Sequence, residues 1–210
     1  MGVDLSGDNS LVLDFSESNS ELLKLDFFDT NLLSDYVFGL IEEHGVQYGI
    51  GGYNEERVLY RRSELFDSSA GSRFIHLGID VWSKAGHAVF APLKGRIHSF
   101  TDNAGFGNYV PTLIIEHKLM NGLKFFTLYG HLAEPKYSLQ VDSIVDAGQK
   151  IAEIGTAPTN GDWPPHLHFQ IVMDMLDFQG DFPGVTTLSE RDRFVNLCPD
   201  PNLILRHPLL

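Results

Sequence analysis

From Arg73 onward the chain is written as seven short apolar runs separated by turn residues, and this pattern restricts the fold more than any other feature. RFIHLGIDVW, HAVFAP, GRIHSF, YVPTLIIEH, LKFFTLYGHL, QKIAEIG and LHFQIV are rich in β-branched and aromatic residues. Gly, Asp, Asn and Pro stand between them. Strands this short and this regularly interrupted favour an antiparallel sheet or sandwich over a βαβ array. The expected fold is therefore mainly β, with small peripheral helices.

Helical spacing is confined to the flanks. From Asn31 to His44, Leu32, Leu33, Val37, Phe38, Leu40 and Ile41 recur near a 3.6-residue period, with Asn31 or Asp29 available as cap and Gly45 as stop. Residues 1–29 read as an acidic arm with one short amphipathic piece around Leu22 to Phe28. Residues 45–72 are turn-rich and suit short strands or an irregular surface cover. After Val172, DMLDFQGDFPGVTT reads as a loop, and SERDRFVNL offers a small helix before CPDPNL. The expected organisation is an acidic, helical extension over 1–45, the principal β domain over 46–175, and a carboxy-terminal elaboration over 176–210 packed on that domain.

A chain of 210 residues, 43% of them hydrophobic, can bury one substantial core. Its single cysteine, Cys198, has no internal partner, which excludes a disulfide-stapled scaffold and suits a reducing compartment. The amino terminus has neither a basic nor a continuous apolar region of the kind an export signal needs. No run reaches the roughly 18 apolar residues of a membrane-spanning helix. A cytoplasmic location is expected. The formal charge of -13 argues against a nucleic-acid or anionic-membrane partner. There is no P-loop, dinucleotide-binding glycine pattern or CxxC pair.

The residues that can carry chemistry are dispersed: His76 and Asp80 in HLGID, His131 in LYGHL, and His166 and His168 in PHLHF. Two imidazoles and one carboxylate can hold zinc and leave a coordination position open, the catalytic rather than the sealed arrangement. Two histidines then remain for chemistry. Residues four apart on a strand face one side, so His76 and Asp80 can converge if LGI twists, and Gly78 permits a close approach. His166 and His168 also share a strand face, so one can bind metal while the other approaches the substrate. Asn54, Arg61 and Arg62 are candidates for binding an acidic ligand. The competing reading of the arginines is pairing with the protein's own carboxylates, which the guanidinium fork suits equally well.

Residues Arg73 to Ile171 resemble the zinc metallopeptidase family M23, the lysostaphin and LytM-like endopeptidases. The resemblance rests on HLGID, AP followed by GRI, GFGN, LYGHL, GQKIAEIG and PHLHFQI, in the family's order. It implies an antiparallel groove of the duplicated-hybrid-motif kind. It also implies Zn2+ held by His76, Asp80 and His168, with His131 and His166 flanking the scissile amide and the activated water. One flanking imidazole would transfer the proton and the other would steady the oxyanion.

Two features depart from the family. Gln170 stands where a glutamate is usual, and an acidic chain without an export signal is not suited to cell-wall peptides outside the membrane. A small peptide or amide is the expected substrate. The tail around DFQGDFPGV and CPDPNLIL is similar to an M23-like module found between a phosphotransferase-like and a class III aminotransferase-like domain in larger fusion proteins, which implies such domains as partners. Hydrolysis by metal-activated water is the leading function. The alternatives are a non-catalytic zinc-containing recognition or regulatory module and, less favoured, a cupin-like small-molecule enzyme, for which the spaced carboxylate after HLH is missing.

Overall fold

The computed structural model describes residues 9–62, 66, 71–101, 111–134 and 140–210. In chain order the strands are β1 (Ser10–Leu13), β2 (Tyr48–Gly51), β3 (Ile75–His76), β4 (Ile79–Trp82), β5 (Ala88–Phe90) and β6 (Gly95–Thr101). They continue with β7 (Thr112–Lys118), β8 (Lys124–Gly130), β9 (Ile144–Val145), β10 (Lys150–Glu153), β11 (His166–Val172) and β12 (Val185–Thr186). Among the described residues three α-helices, α1 (Thr30–Glu43), α2 (Arg191–Leu197) and α3 (Asn202–Leu205), flank them, with short 3-10 turns of helix between.

Eight strands form one open sheet in the order β1-β2-β4-β11-β8-β7-β6-β9. Every pairing in it is antiparallel except β1 with β2. Two-stranded ribbons, β5 with β10 and β3 with β12, complete the β structure. The mainly antiparallel β architecture expected from the interrupted apolar runs is the one observed, with each of the seven runs supplying strand residues.

Strand alternation sorts the core onto two faces. Along β11, Leu167 and Phe169 turn one way and join Ile50, Ile79, Val81, Leu113, Ile115 and Tyr129. The β5–β10 ribbon closes this face with Val89 and Ile151. His166, His168, Gln170 and Val172 turn the other way, beside Asp80 and Trp82 of β4, since directly paired residues share a face.

The second face is covered at both ends by the flanks of the chain. Leu13, Phe15, Leu22, Leu33, Val37 and Ile41, all from the first 45 residues, pack with Trp82 and Trp163. At the other end Met175, Phe182, Phe194 and Cys198 pack on Leu128 and Val172. The His/Asp cluster lies in the saddle between these two apolar clusters. Helix α1 forms where its apolar period predicts. Asp29 caps it, accepting from Asn31 N at 2.8 Å and Leu32 N at 3.3 Å, and Gly45 ends it at φ 65°.

The structure differs from the sequence reading in the first 29 residues. Those described are no loose arm: Ser10–Leu13 adds a parallel edge strand to the sheet, and Phe15 and Leu22 are wholly buried. Parallel pairing across a helix leaves no local turn signal, so the strand was not legible. Helix α3 follows CPDP, where the sequence reading assigned no element. Strand β1 and the segment after α3 meet at a buried hydrogen bond. His207 Nδ1 accepts from Leu209 N, which leaves Nε2 to donate to Ser10 Oγ at 2.7 Å.

Candidate active site

His76 and Asp80, expected on or beside one strand with a twist in LGI, stand on two successive strands. The chain leaves β3, paired with β12, and enters β4, paired with β11, across Leu77 and Gly78. Gly78 is needed there: a Cβ would lie 2.5 Å from His168 Cε1 and 2.8 Å from the Phe169 carbonyl oxygen. Register places His168 opposite Asp80 on one side and Gly130 on the other, so His131 follows β8 directly at the same level. His131 adopts φ 58°, a conformation that non-glycine residues rarely take and that recurs at functional sites.

The sheet and its step bring His76, Asp80 and His168 together. His76 Nε2 lies 2.9 Å from His168 Nδ1 and 3.2 Å from Asp80 Oδ1, and His168 Nδ1 lies 3.1 Å from the same oxygen. All three residues are buried. The other nitrogen of each ring is a donor. His76 Nδ1–H donates to Gly52 O at 2.9 Å, and His168 Nε2–H donates to Gln170 Oε1 at 2.9 Å.

These bonds set the tautomers, so the ring nitrogens facing Asp80 Oδ1 present lone pairs. Three acceptors then point at one another, an arrangement that a cation relieves. The centre of such a triangle lies about 1.8 Å from its corners, within the roughly 2.0–2.2 Å of zinc bonds to N and O, so one ion can reach all three. The residues fit a zinc ion.

His131 and His166 lie side by side next to this triad, with ring centroids 4.0 Å apart. His131 Nδ1–H donates to Asn160 O at 2.8 Å and His166 Nδ1–H to Pro164 O at 2.7 Å. Both acceptors belong to the 156–165 segment, which thereby sets both tautomers and leaves each Nε2 as the basic nitrogen. Trp82 stacks on His166 at 4.1 Å and 20°.

Burial keeps the rings of His76, His131 and His166 neutral. Burial pushes His76 down to about 4, with Arg57 acting in the same direction and Asp80 in part opposing. Burial likewise lowers His166 to about 4 against the pull of Asp80. It holds His131 well below its ordinary value, helped by His166. Burial would raise the Asp80 carboxyl, but His76, Arg57 and His166 and the bond from His168 hold it well below the usual carboxylate range. Neutral imidazoles and an ionised carboxylate are the protonation states that metal ligation requires.

Asp80, His131, His166 and His168 face a cavity of about 30 Å³ walled by Tyr60, Trp82 and Trp163. Trp163 also lines a wider groove of about 920 Å³ between α1 and the 156–165 segment, beside Thr30, Asn31 and Phe38. Asn160, fully buried, grips the Trp163 backbone at both its N–H and its carbonyl. Thr30 Oγ1, at the first residue of α1, donates to Asp162 O at 2.9 Å. The amino-terminal extension therefore braces the segment that positions both outer histidines.

The three candidates for ligand binding are not drawn into this cluster. Asn54 Oδ1 accepts from Arg191 Nε at 2.9 Å, and Arg61 pairs with Glu17 at the surface. The Arg62 side chain and the GFGN stretch of the family resemblance (residues 105–108) lie outside the described residues. Sequence reasoning missed Arg57, which bonds Asp80 from the segment between β2 and β3, and Asn160, whose carbonyl accepts from His131. Neither stands in a motif of its own.

The family model for peptidase family M23 matches residues 74–178, half of the chain, and includes all five clustered residues. The chain belongs to peptidase family M23. Among solved structures, this M23 chain is similar to the catalytic domain of the antimicrobial peptidase lysostaphin from Staphylococcus simulans, at 24% identity over 70% of this chain and 92% of that one, with a TM-score of 0.43. It is similar to the catalytic domain of a prophage-encoded M23 protein from Enterococcus faecalis, at 20% identity over 50% and 73% of the two chains, with a TM-score of 0.38. It is also similar to a zinc-containing peptidase from Vibrio cholerae, at 27% identity over 57% of this chain, with a TM-score of 0.41, and spans 31% of that protein. No curated protein matches the chain. Among the described residues no helix is long and apolar enough to cross a membrane.

Proposed function

We propose that this M23 chain hydrolyses a peptide or amide bond, with zinc held by His76, Asp80 and His168 and with His131 and His166 at the reacting groups. The observation that carries the reading is the convergence of three acceptor atoms within 3.2 Å of one another beside a pair of neutral imidazoles. When bound there, zinc supplies Lewis acidity, polarising the scissile carbonyl and activating water.

The protein's own groups do the rest. His131 and His166 each present Nε2 to the cavity, because Nδ1 of each is committed to a backbone carbonyl. One ring accepts the proton of the attacking water at Nε2; the imidazolium so formed is now a donor there, steadies the developing oxyanion and returns the proton to the leaving nitrogen, while the Nε2 lone pair of the other ring orients the water. Tyr60, Trp82 and Trp163 exclude bulk water, which strengthens every charge interaction inside.

The formal charge of -13 favours a small peptide or amide over intact polymeric cell wall. The resemblance of the tail to M23-like modules of fusion proteins supports a place beside further domains in a larger protein. A non-catalytic recognition module would need neither the paired outer histidines nor their set tautomers. The open sheet, whose edges are β1 and β9, does not favour a cupin-like barrel.

The test is product analysis by liquid chromatography with mass detection, using zinc-loaded protein challenged in parallel with a short-peptide library and cell-wall fragments. Turnover of short peptides that is lost in His131→Ala is the expected result. Cleavage of cell wall alone would overturn the substrate class. No cleavage anywhere, with zinc bound, would favour the recognition module.

A further inference from the structure

A buried cation sits directly behind the triad. Arg57 is 3% exposed. Its Nη1 donates to Asp80 Oδ2, its Nε donates to Glu55 Oε2 at 2.7 Å, and its Nη2 donates to Gly52 O at 3.1 Å. The Gly52 carbonyl is also the acceptor for His76 Nδ1–H. One guanidinium thus engages the Asp80 oxygen that does not face the two imidazoles, and it shares an acceptor with the ring of His76.

We propose that Arg57 is a positioning residue of the metal centre: by occupying Oδ2 it holds Asp80 as a one-oxygen ligand, and through Gly52 it fixes the aim of His76. The proposal rests on the metal-site reading above. An ionised carboxylate beside a divalent cation can bind with one oxygen or chelate with both. A strong donor committed to the second oxygen selects the first mode and keeps a coordination position open for substrate. Arginine suits the task because its planar fork sends three bonds in three fixed directions, whereas a lysine ammonium meets Asp80 only as a point charge.

The surroundings are shaped to hold that fork in place. A Cβ at Gly51 would lie 2.5 Å from Arg57 Nη2 and 3.3 Å from Trp82 Nε1, so glycine leaves the channel through which the guanidinium passes. The Phe15 ring lies 5.3 Å from the guanidinium carbon, within cation–π range. Phe15 N donates to Glu55 Oε1 at 2.9 Å, and Phe15 O accepts from Val58 N at 3.0 Å, tying the extension to both sides of Arg57. Phe15, Gly51, Glu55 and Arg57 all precede residues 74–178, so the support behind the triad comes from chain in front of the matched family segment.

The experiment uses the metal-free full chain as wild type, Arg57→Lys and Gly51→Ala. Arg57→Lys keeps the charge, so a change in affinity reports geometry and not the loss of a cation. Gly51→Ala displaces the guanidinium without altering any group that bonds the ligands. Zinc affinity is read by competition with a chromophoric chelator, coordination by the visible absorption of the Co2+-loaded protein, and folding by circular dichroism. In folded variants the expected result is a loss of zinc affinity of about 10- to 100-fold, the range for groups that orient ligands. Weaker Co2+ bands should accompany it as Asp80 turns to chelate with both oxygens.

If Arg57→Lys does not fold, Gly51→Ala carries the test. Wild-type affinity and an unchanged Co2+ spectrum in the folded variants would overturn the role of Arg57 and leave the metal site standing. A wild-type chain that takes up neither ion would overturn the metal-site reading itself.

Discussion

The His168 ring and the Gln170 amide meet at 2.9 Å, with Nε2–H donating to Oε1. Gln170 Nε2 in turn donates to Pro183 O at 3.1 Å and to Cys198 Sγ at 3.2 Å. An amide suits this place because it accepts on one side and donates on the other. Gln170→Leu removes the acceptor that aims His168 Nδ1 at Asp80, and zinc affinity should fall about 10- to 100-fold in a chelator competition. Gln170→Glu keeps the acceptor and loses the donor, so its main effect should be on folding. A stability loss of about 1–3 kcal/mol is expected, measured by urea unfolding.

His131→Ala and His166→Ala should each lower turnover by about 10²- to 10⁴-fold, the range for a positioned acid or base. Zinc content should stay near that of the wild type, because neither ring belongs to the triad of converging atoms. Metal analysis alongside initial rates checks this. Equal loss of zinc and rate in a folded variant would move that ring from chemistry to coordination.

Burial lowers His76 and His166 to about 4, whereas in an unfolded chain both titrate near 6.5. Between these values the unfolded state binds more protons, so stability is intact above about pH 6.5 and is lost as pH falls toward 4. Each ring contributes on the order of 3 kcal/mol over that window. Urea midpoints of chelator-treated protein should therefore drop between about pH 7 and about pH 5, and a flat profile would contradict the burial of these rings as neutral groups.

Trp163 stands between the cavity at the outer histidines and the wider groove beside α1. Trp163→Ala removes that wall at a stability cost of about 3–5 kcal/mol. In protein that remains folded, kcat/KM for longer peptides should rise relative to that for short ones. A ratio equal to the wild type would place the substrate path elsewhere.

Arg61 pairs with Glu17 where both side chains are largely exposed, at 60% and 68%. Exposed pairs of this kind contribute about 0–1 kcal/mol. Arg61→Ala should change neither the urea midpoint nor KM appreciably. A rise in KM at unchanged stability would restore Arg61 to the substrate-binding residues.

Strand existence and helix α1, with Asp29 as one of its two candidate caps, were legible in the sequence because each is a local signal, and the five residues of the proposed site stand in short motifs. Alternation marks β11, helical period marks α1, and HLGID and HLH pack several metal-binding residue types into a few positions. The expected twist in LGI is a step between two sheets at Gly78, where His168 approaches from β11, and the local pattern does not contain that partner.

By itself, the sequence determined which residue types are available for metal chemistry and that the chain must build an antiparallel sheet. Only the tertiary structure decided which arginine serves the site. Arg57, Arg61 and Arg62 stand within six positions of one another, yet burial against Phe15 and passage over Gly51 bring Arg57 to Asp80 while Arg61 points to solvent. Tertiary structure also turned the acidic amino-terminal extension into the cover of the site face, because Phe15 and α1 bury their apolar side chains on Trp82. These outcomes depend on surfaces that meet only after distant segments pack, and the hydrophobic burial that drives the packing carries no record of partner identity in the local residue pattern.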